Sequence, residues 1–159
     1  MNKIPETKTR KRLRIALCIF YLFEIVLCAW SFIRIPSPDG TKILSRSVFE
    51  MLSYMGQTPD ERGFQLTIAF FLLFPIIPII GFFFCALERK RNLHNLVSLL
   101  CCLGGILSIL LVVTPQSIHY GSLFSMLLYI FIAFLSSFSM MAWIIDNKNG
   151  VKDEDKAKE

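Results

Sequence analysis

The chain has 159 residues and a formal net charge of +5; it is 54% hydrophobic, with 15 Phe and only 18% charged residues. A soluble domain of this size alternates apolar and polar residues, whereas here the apolar residues come in blocks of about 20, the length that crosses a bilayer. This pattern argues against an ordinary soluble enzyme or binding module and predicts an all-α integral membrane fold. The expected architecture is a four-transmembrane-helix bundle with a short amphipathic helix in the first outer loop.

The apolar blocks cover residues 15–33, 64–87, 96–113 and 123–145, and none contains Asp, Lys or Arg. In lipid each backbone polar group needs an internal partner, so such blocks must be helical. The chain then divides into a basic tail at 1–14, a transmembrane domain at 15–146 and a second tail at 147–159. Within the domain the spans are expected at 15–33, 64–87, 94–113 and 121–145, with the outer helix at 42–55.

The first tail carries Lys3, Lys8, Arg10, Lys11, Arg12 and Arg14 against Glu6. Basic residues beside a span mark the cytoplasmic side, so both termini are expected in the cytoplasm of a multi-pass plasma-membrane protein. The Glu88-Arg89-Lys90-Arg91 turn lies on the same side. A basic patch in this position anchors topology and anionic lipid, so nucleic acid is not an expected partner. The rival reading of residues 1–33 is a cleaved signal peptide. Against it stand the length of the apolar stretch and Glu24 inside it.

Span one holds the only charged residue deep inside any block, Glu24. Tyr21, Glu24, Cys28 and Ser31 recur at spacings of three or four and form one polar stripe. Counted inward from Arg14 at about 1.5 Å per residue, Glu24 lies roughly 15 Å deep. An acid there is costly and marks a candidate functional site. Three roles are open to it: a neutral acid hydrogen-bonded inside the bundle, a docking point for a basic residue in a partner's helix, or a proton or cation site. A glutamate in the first of four short helices is similar to the arrangement in the small multidrug transporters. The likeness stops at that residue, since those chains are more compact and lack a long first outer loop.

The first outer connection, 34–62, opens on Pro36-Ser37-Pro38-Asp39-Gly40, a turn by composition. Leu44, Val48, Met51, Leu52 and Met55 then fall on one helical face, which predicts an amphipathic helix over 42–55 at the outer interface, capping the bundle or docking a partner. Thr58-Pro59-Asp60-Glu61 reads as a helix start, with an N-cap, a proline at the first position and a capping box. Span two carries Pro75 and Pro78, which remove backbone donors and are expected to kink it.

Spans three and four carry stripes of small and polar residues: Ser98, Cys101, Gly105 and Ser108, then Ser125, Tyr129 and Ser136. Such stripes are what membrane helices use to pack closely, or to line a polar cavity. The tail 147–159 mixes Lys with Asp and Glu and is expected to be disordered.

The five cysteines form no C-x-x-C and none lies in an expected loop, which disfavours a thiol oxidoreductase. His94 and His119 fall on opposite sides of the membrane, so they cannot share a metal. No Walker, Rossmann, H-E-x-x-H or G-x-S-x-G pattern is present. The expectation is therefore a non-enzymatic accessory or assembly subunit of a larger membrane system, without cofactor or metal. Its partners would be membrane lipids and another membrane protein or a second copy of itself. The alternative is a small proton-coupled transporter or ion-conducting homo-oligomer that uses Glu24.

Overall fold

The computed structural model describes residues 7–37, 42–56, 62–87 and 93–156, with side chains described over 7–37, 42–55, 67–87 and 93–148. Its long helices are α1 (Lys8–Cys28), α3 (Arg62–Leu87), α4 (Leu93–Val112) and α5 (Tyr120–Lys156). Between α1 and α3 lie a hairpin, β1 (Ile33–Pro36) and β2 (Ile43–Arg46), and the short helix α2 (Val48–Gly56).

Three helices are long and apolar enough to cross a membrane: α3 over Thr67–Leu87, α4 over Leu93–Val112 and α5 over Tyr120–Lys148. The expected first span at 15–33 is not among them. Its helix begins in the basic tail at Lys8 and stops at Cys28, so the charged first turns dilute it and Ile33 belongs to a strand. The four long helices nonetheless pack in a ring: α1 against α3 and α5, and α4 against α3 and α5. One end of the ring, the terminal end, carries the start of α1 and the end of α5. The other, the cap end, carries the hairpin and α2.

The polarity of the bundle is inverted relative to a soluble protein. Ile19, Leu22, Phe23, Leu72, Phe83, Leu103, Leu111, Phe124, Phe131 and Phe138 are exposed, while Glu24, Ser98, Ser108, Ser125 and Ser136 are buried. Lipid is as apolar as leucine, so outward apolar side chains cost nothing there and polar groups gather where helices meet.

Close contact in the core comes from two rings seated on two glycines. A Cβ on Gly81 would stand 2.3 Å from Cζ of Tyr21, and one on Gly105 would stand 2.4 Å from Cζ of Tyr129. Only glycine leaves room for the ends of these rings against the neighbouring helix. The helix α3 runs through both Pro75 and Pro78, and both are buried. Phe71 and Phe74, whose carbonyls those prolines leave without their helical donors, form an edge-on ring pair at 5.5 Å, and Phe32 joins it at 5.0 Å from Phe74.

At the cap end the fold departs from an all-α chain. The expected outer helix over 42–55 is half strand: β2 pairs antiparallel with β1, with Ile33 opposite Arg46 and Pro36 opposite Ile43. The helix starts only at Val48 because Ser47 and Glu50 form a capping box. The Ser47 N–H donates to Glu50 Oε2 at 2.8 Å, and the Glu50 N–H donates to Ser47 Oγ at 3.2 Å. Val48, Met51 and Met55 are buried, while Leu44, placed on that face by helical counting, is an exposed strand residue.

The hairpin is also stitched to the α4–α5 loop. The Arg34 N–H donates to the Ser117 carbonyl at 2.8 Å, and Ile33 bridges Ile118. At the other end, α5 continues to Lys156, so part of the tail expected to be disordered is helical. The helix start expected at Thr58-Pro59-Asp60-Glu61 lies outside the described residues.

Candidate functional site

The buried face of α1 is Arg10, Arg14, Leu17, Tyr21, Glu24 and Cys28, a recurrence of three and four along one side of the helix. That spacing turns Glu24 into the ring of helices, where it is only 1% exposed. Ser125 of α5 donates its hydroxyl to Glu24 Oε2 at 2.7 Å. The other carboxyl oxygen, Oε1, is buried with no hydrogen-bond partner among the described residues. Cys28, Cys102 and Tyr129 lie within electrostatic reach of the same carboxyl group.

One turn nearer the termini, Tyr21 donates its hydroxyl to the Ser98 carbonyl at 3.4 Å. Ser98 Oγ in turn lies 3.5 Å from Cys85 Sγ. Tyr21 thus ties α1 to both α3 and α4, while Glu24 ties it to α5. Ser31 does not join them. Its carbonyl serves the cap instead, lying 3.0 Å from His119 Nδ1 and accepting the Gly121 N–H at 3.1 Å.

On α4, Ser98, Cys101, Gly105 and Ser108 are all buried, and Ser108 donates back to its own Gly104 carbonyl at 2.7 Å. On α5, Ser125, Tyr129 and Ser136 are buried as well. The stripes therefore converge on one interior, and the Gly105–Tyr129 and Glu24–Ser125 contacts use them for packing.

Helical counting from Tyr21 toward the N-terminus would also have reached Arg14 and Arg10. They are 6% and 4% exposed, buried on the same face as Glu24 rather than spread in solvent. Arg14 Nη1 donates to the Cys85 carbonyl at 3.1 Å, near the C-terminal end of α3. His94 is buried at the terminal end, while His119 holds the cap.

No group of three or more His, Cys, Asp or Glu among the described residues is placed to hold a metal. At the cap end, an open crevice of about 370 Å³ is lined by Val26, Trp30, Ser31, Ser45, Ser47 and Glu50. It does not include Glu24. Among the described residues, what the interior offers chemically is one carboxyl group with a spare acceptor oxygen, able to hold a proton or a small cation.

The fold and interior define a helical protein with membrane-length helices and a polar, acid-containing core. No family model, no curated protein and no solved structure matches the chain.

Proposed function

We propose that α1 crosses the membrane as a fourth span, and that the chain is a small non-enzymatic plasma-membrane protein serving as an accessory or assembly subunit of a larger membrane system. Both termini then face the cytoplasm. The fourth span is supported by the outward face of α1, where Ile15, Ile19, Leu22, Phe23 and Val26 are exposed, and by its packing between two helices of spanning length. Its apolar part is short, but basic residues at a helix end reach back to the interface. In this reading the hairpin and α2 lie at the outer surface as an amphipathic cap.

The observation that carries the subunit reading is how the interior polarity is used. Tyr21 seats on Gly81, Tyr129 on Gly105, and Glu24 accepts from Ser125 of its own chain. The polar stripes hold this bundle together, and its outward faces are left to lipid and to other apolar helices. A partner would therefore dock on those faces and not on Glu24.

A mild-detergent pull-down from native membranes, read by mass spectrometry, tests this: a stoichiometric membrane partner or a second copy is expected. Topology is checked by impermeant labelling of intact cells. Ser45→Cys should react and Lys152→Cys should not.

One observation favours the second reading, a small proton-coupled transporter or ion-conducting homo-oligomer. Glu24 Oε1 is buried and unpartnered, and an intramembrane acid with spare capacity is what a proton or cation site requires. Proteoliposome flux separates the two. If Glu24→Gln keeps its partners but loses pH-coupled flux, the transporter replaces the subunit.

A further inference from the structure

Along α1 and α5, polar residues are buried at further levels beyond Glu24. The two helices are tied at two levels. Thr7 Oγ1 donates to Asp146 Oδ2 at 3.1 Å at the terminal end, and Ser125 donates to Glu24 at 2.7 Å further in. Counting at about 1.5 Å per residue brings Ser139 level with Arg10 from the inner tie and with Arg14 from the outer one, so Ser136 and Ser139 lie in the stretch of α5 that faces these two arginines. All four are buried.

Arg14 is engaged, donating to the Cys85 carbonyl, but the other three differ. Arg10 Nε, Ser136 Oγ and Ser139 Oγ are buried and have no hydrogen-bond partner among the described residues. The two serines differ from their neighbours in this. Ser137 donates to its own Ala133 carbonyl at 2.9 Å and Ser108 to Gly104 at 2.7 Å. Ser136 and Ser139 make no such bond. At the same end, Asp146 Oδ2 accepts from Thr7.

We propose that the seam between α1 and α5 binds a phosphate group at the terminal end of the bundle, with Arg10 supplying the charge and Ser136 and Ser139 the hydroxyl donors. A phosphate brings several strong acceptor oxygens and a negative charge, matching a guanidinium flanked by donor hydroxyls. Among the described residues no carboxylate pairs with the Arg10 guanidinium; a buried guanidinium left so is costly, and a bound anion removes that cost. The phosphate can come from the headgroup of an anionic phospholipid in the adjoining leaflet or from a soluble phosphate. The position at the end of membrane-length helices suits the headgroup.

The test uses the full chain purified in a mild zwitterionic detergent. Thermal unfolding is followed on titration with phosphatidylglycerol, with phosphatidylcholine and with inorganic phosphate, and native mass spectrometry counts retained lipid. Saturable stabilisation by phosphatidylglycerol but not phosphatidylcholine, with one lipid retained, is expected. Arg10→Gln should weaken it about tenfold or more, while Arg12→Gln, at an exposed position of the same turn, should leave it intact. Equal weakening by both would reduce the effect to the diffuse charge of the tail and overturn the site.

Stabilisation by inorganic phosphate at similar affinity, lost in Arg10→Gln, would keep the phosphate site and assign it a soluble ligand. The double variant Ser136→Ala, Ser139→Ala removes only hydroxyls and introduces no unpaired charge. It keeps the test open if Arg10→Gln does not fold. Unchanged lipid affinity in that variant, or no response to either phosphate source in the wild type, defeats the proposal.

Discussion

The helices α1 and α3 lie side by side in the ring, yet they bury opposite chemistries. The inward face of α3 is Phe71, Phe74, Ile77, Gly81 and Cys85, as apolar as its outward face. The inward face of α1 carries two arginines, a tyrosine and a glutamate, while its outward face is Ile15, Ile19, Leu22, Phe23 and Val26. A helix that is apolar all round can sit in lipid wherever packing puts it. If α1 crosses the membrane as proposed, it has one acceptable rotation, with lipid against its apolar side and its polar side turned into the bundle. The orientation of α1 is therefore set by solvation, and that of α3 by shape, through the Gly81 socket for the Tyr21 ring.

The most severe way to break this contrast is Glu24→Lys. It places a cation where Ser125 now donates a hydrogen bond, and no acid lies at that depth among the described residues to receive it. We expect a loss of about 3 kcal/mol or more, read as loss of monodisperse protein by size-exclusion chromatography after extraction. A bundle of wild-type yield and stability would show that α1 can rotate and that solvation does not set its orientation.

Next in size is Gly81→Ala. Its methyl would stand 2.3 Å from the Tyr21 ring, and overpacking of this kind typically costs about 1–3 kcal/mol. Adding Tyr21→Leu to the same chain should recover most of the loss in thermal unfolding. Recovery is the decisive readout, because a simple propensity effect would favour alanine over glycine in a helix.

His119→Ala tests why α1 stops at Cys28 while α3 runs on. His119 meets the Ser31 carbonyl at 3.0 Å just after the helix ends. Losing that bond should cost about 1 kcal/mol and speed amide exchange across 31–36 without disturbing the long helices. Uniformly faster exchange through the bundle would mean that the cap is not a separate unit.

The smallest effect is expected for Glu24→Gln. A glutamine oxygen still accepts from Ser125, so stability should move by less than about 1 kcal/mol. A large loss would mean that the negative charge itself, rather than the hydrogen bond, holds α1 in place.

Much of this was legible before any coordinates. Block length marked three membrane-length helices to within a few residues, and the three-and-four recurrence of Tyr21, Glu24 and Cys28 put them on one face. The same arithmetic paired Ser98 with Gly105 and Ser125 with Tyr129. The hairpin was half legible. Ile33-Arg34-Ile35-Pro36 and Ile43-Leu44-Ser45-Arg46 flank the turn-type sequence Pro38-Asp39-Gly40, yet Leu44 also fits a helical face, and a four-residue strand offers too few positions to decide between the two periods. The capping box at Ser47 and Glu50 was the local signal that would have moved the helix start.

Periodicity says which residues share a face, but not what that face meets. The length and apolar character of α3, α4 and α5 follow from the chain alone, because bilayer thickness and backbone hydrogen bonding leave a long apolar block one option. That Tyr21 rests on Gly81, that Glu24 reaches Ser125 across 101 positions of sequence, and that Ser31 is claimed by His119 instead of joining the glutamate all depend on which helix lies beside which. So does the burial of Arg10 and Arg14, which look in sequence like an exposed basic tail. Those choices belong to the tertiary structure, since what a polar face meets inside the bundle depends on which element packs beside it.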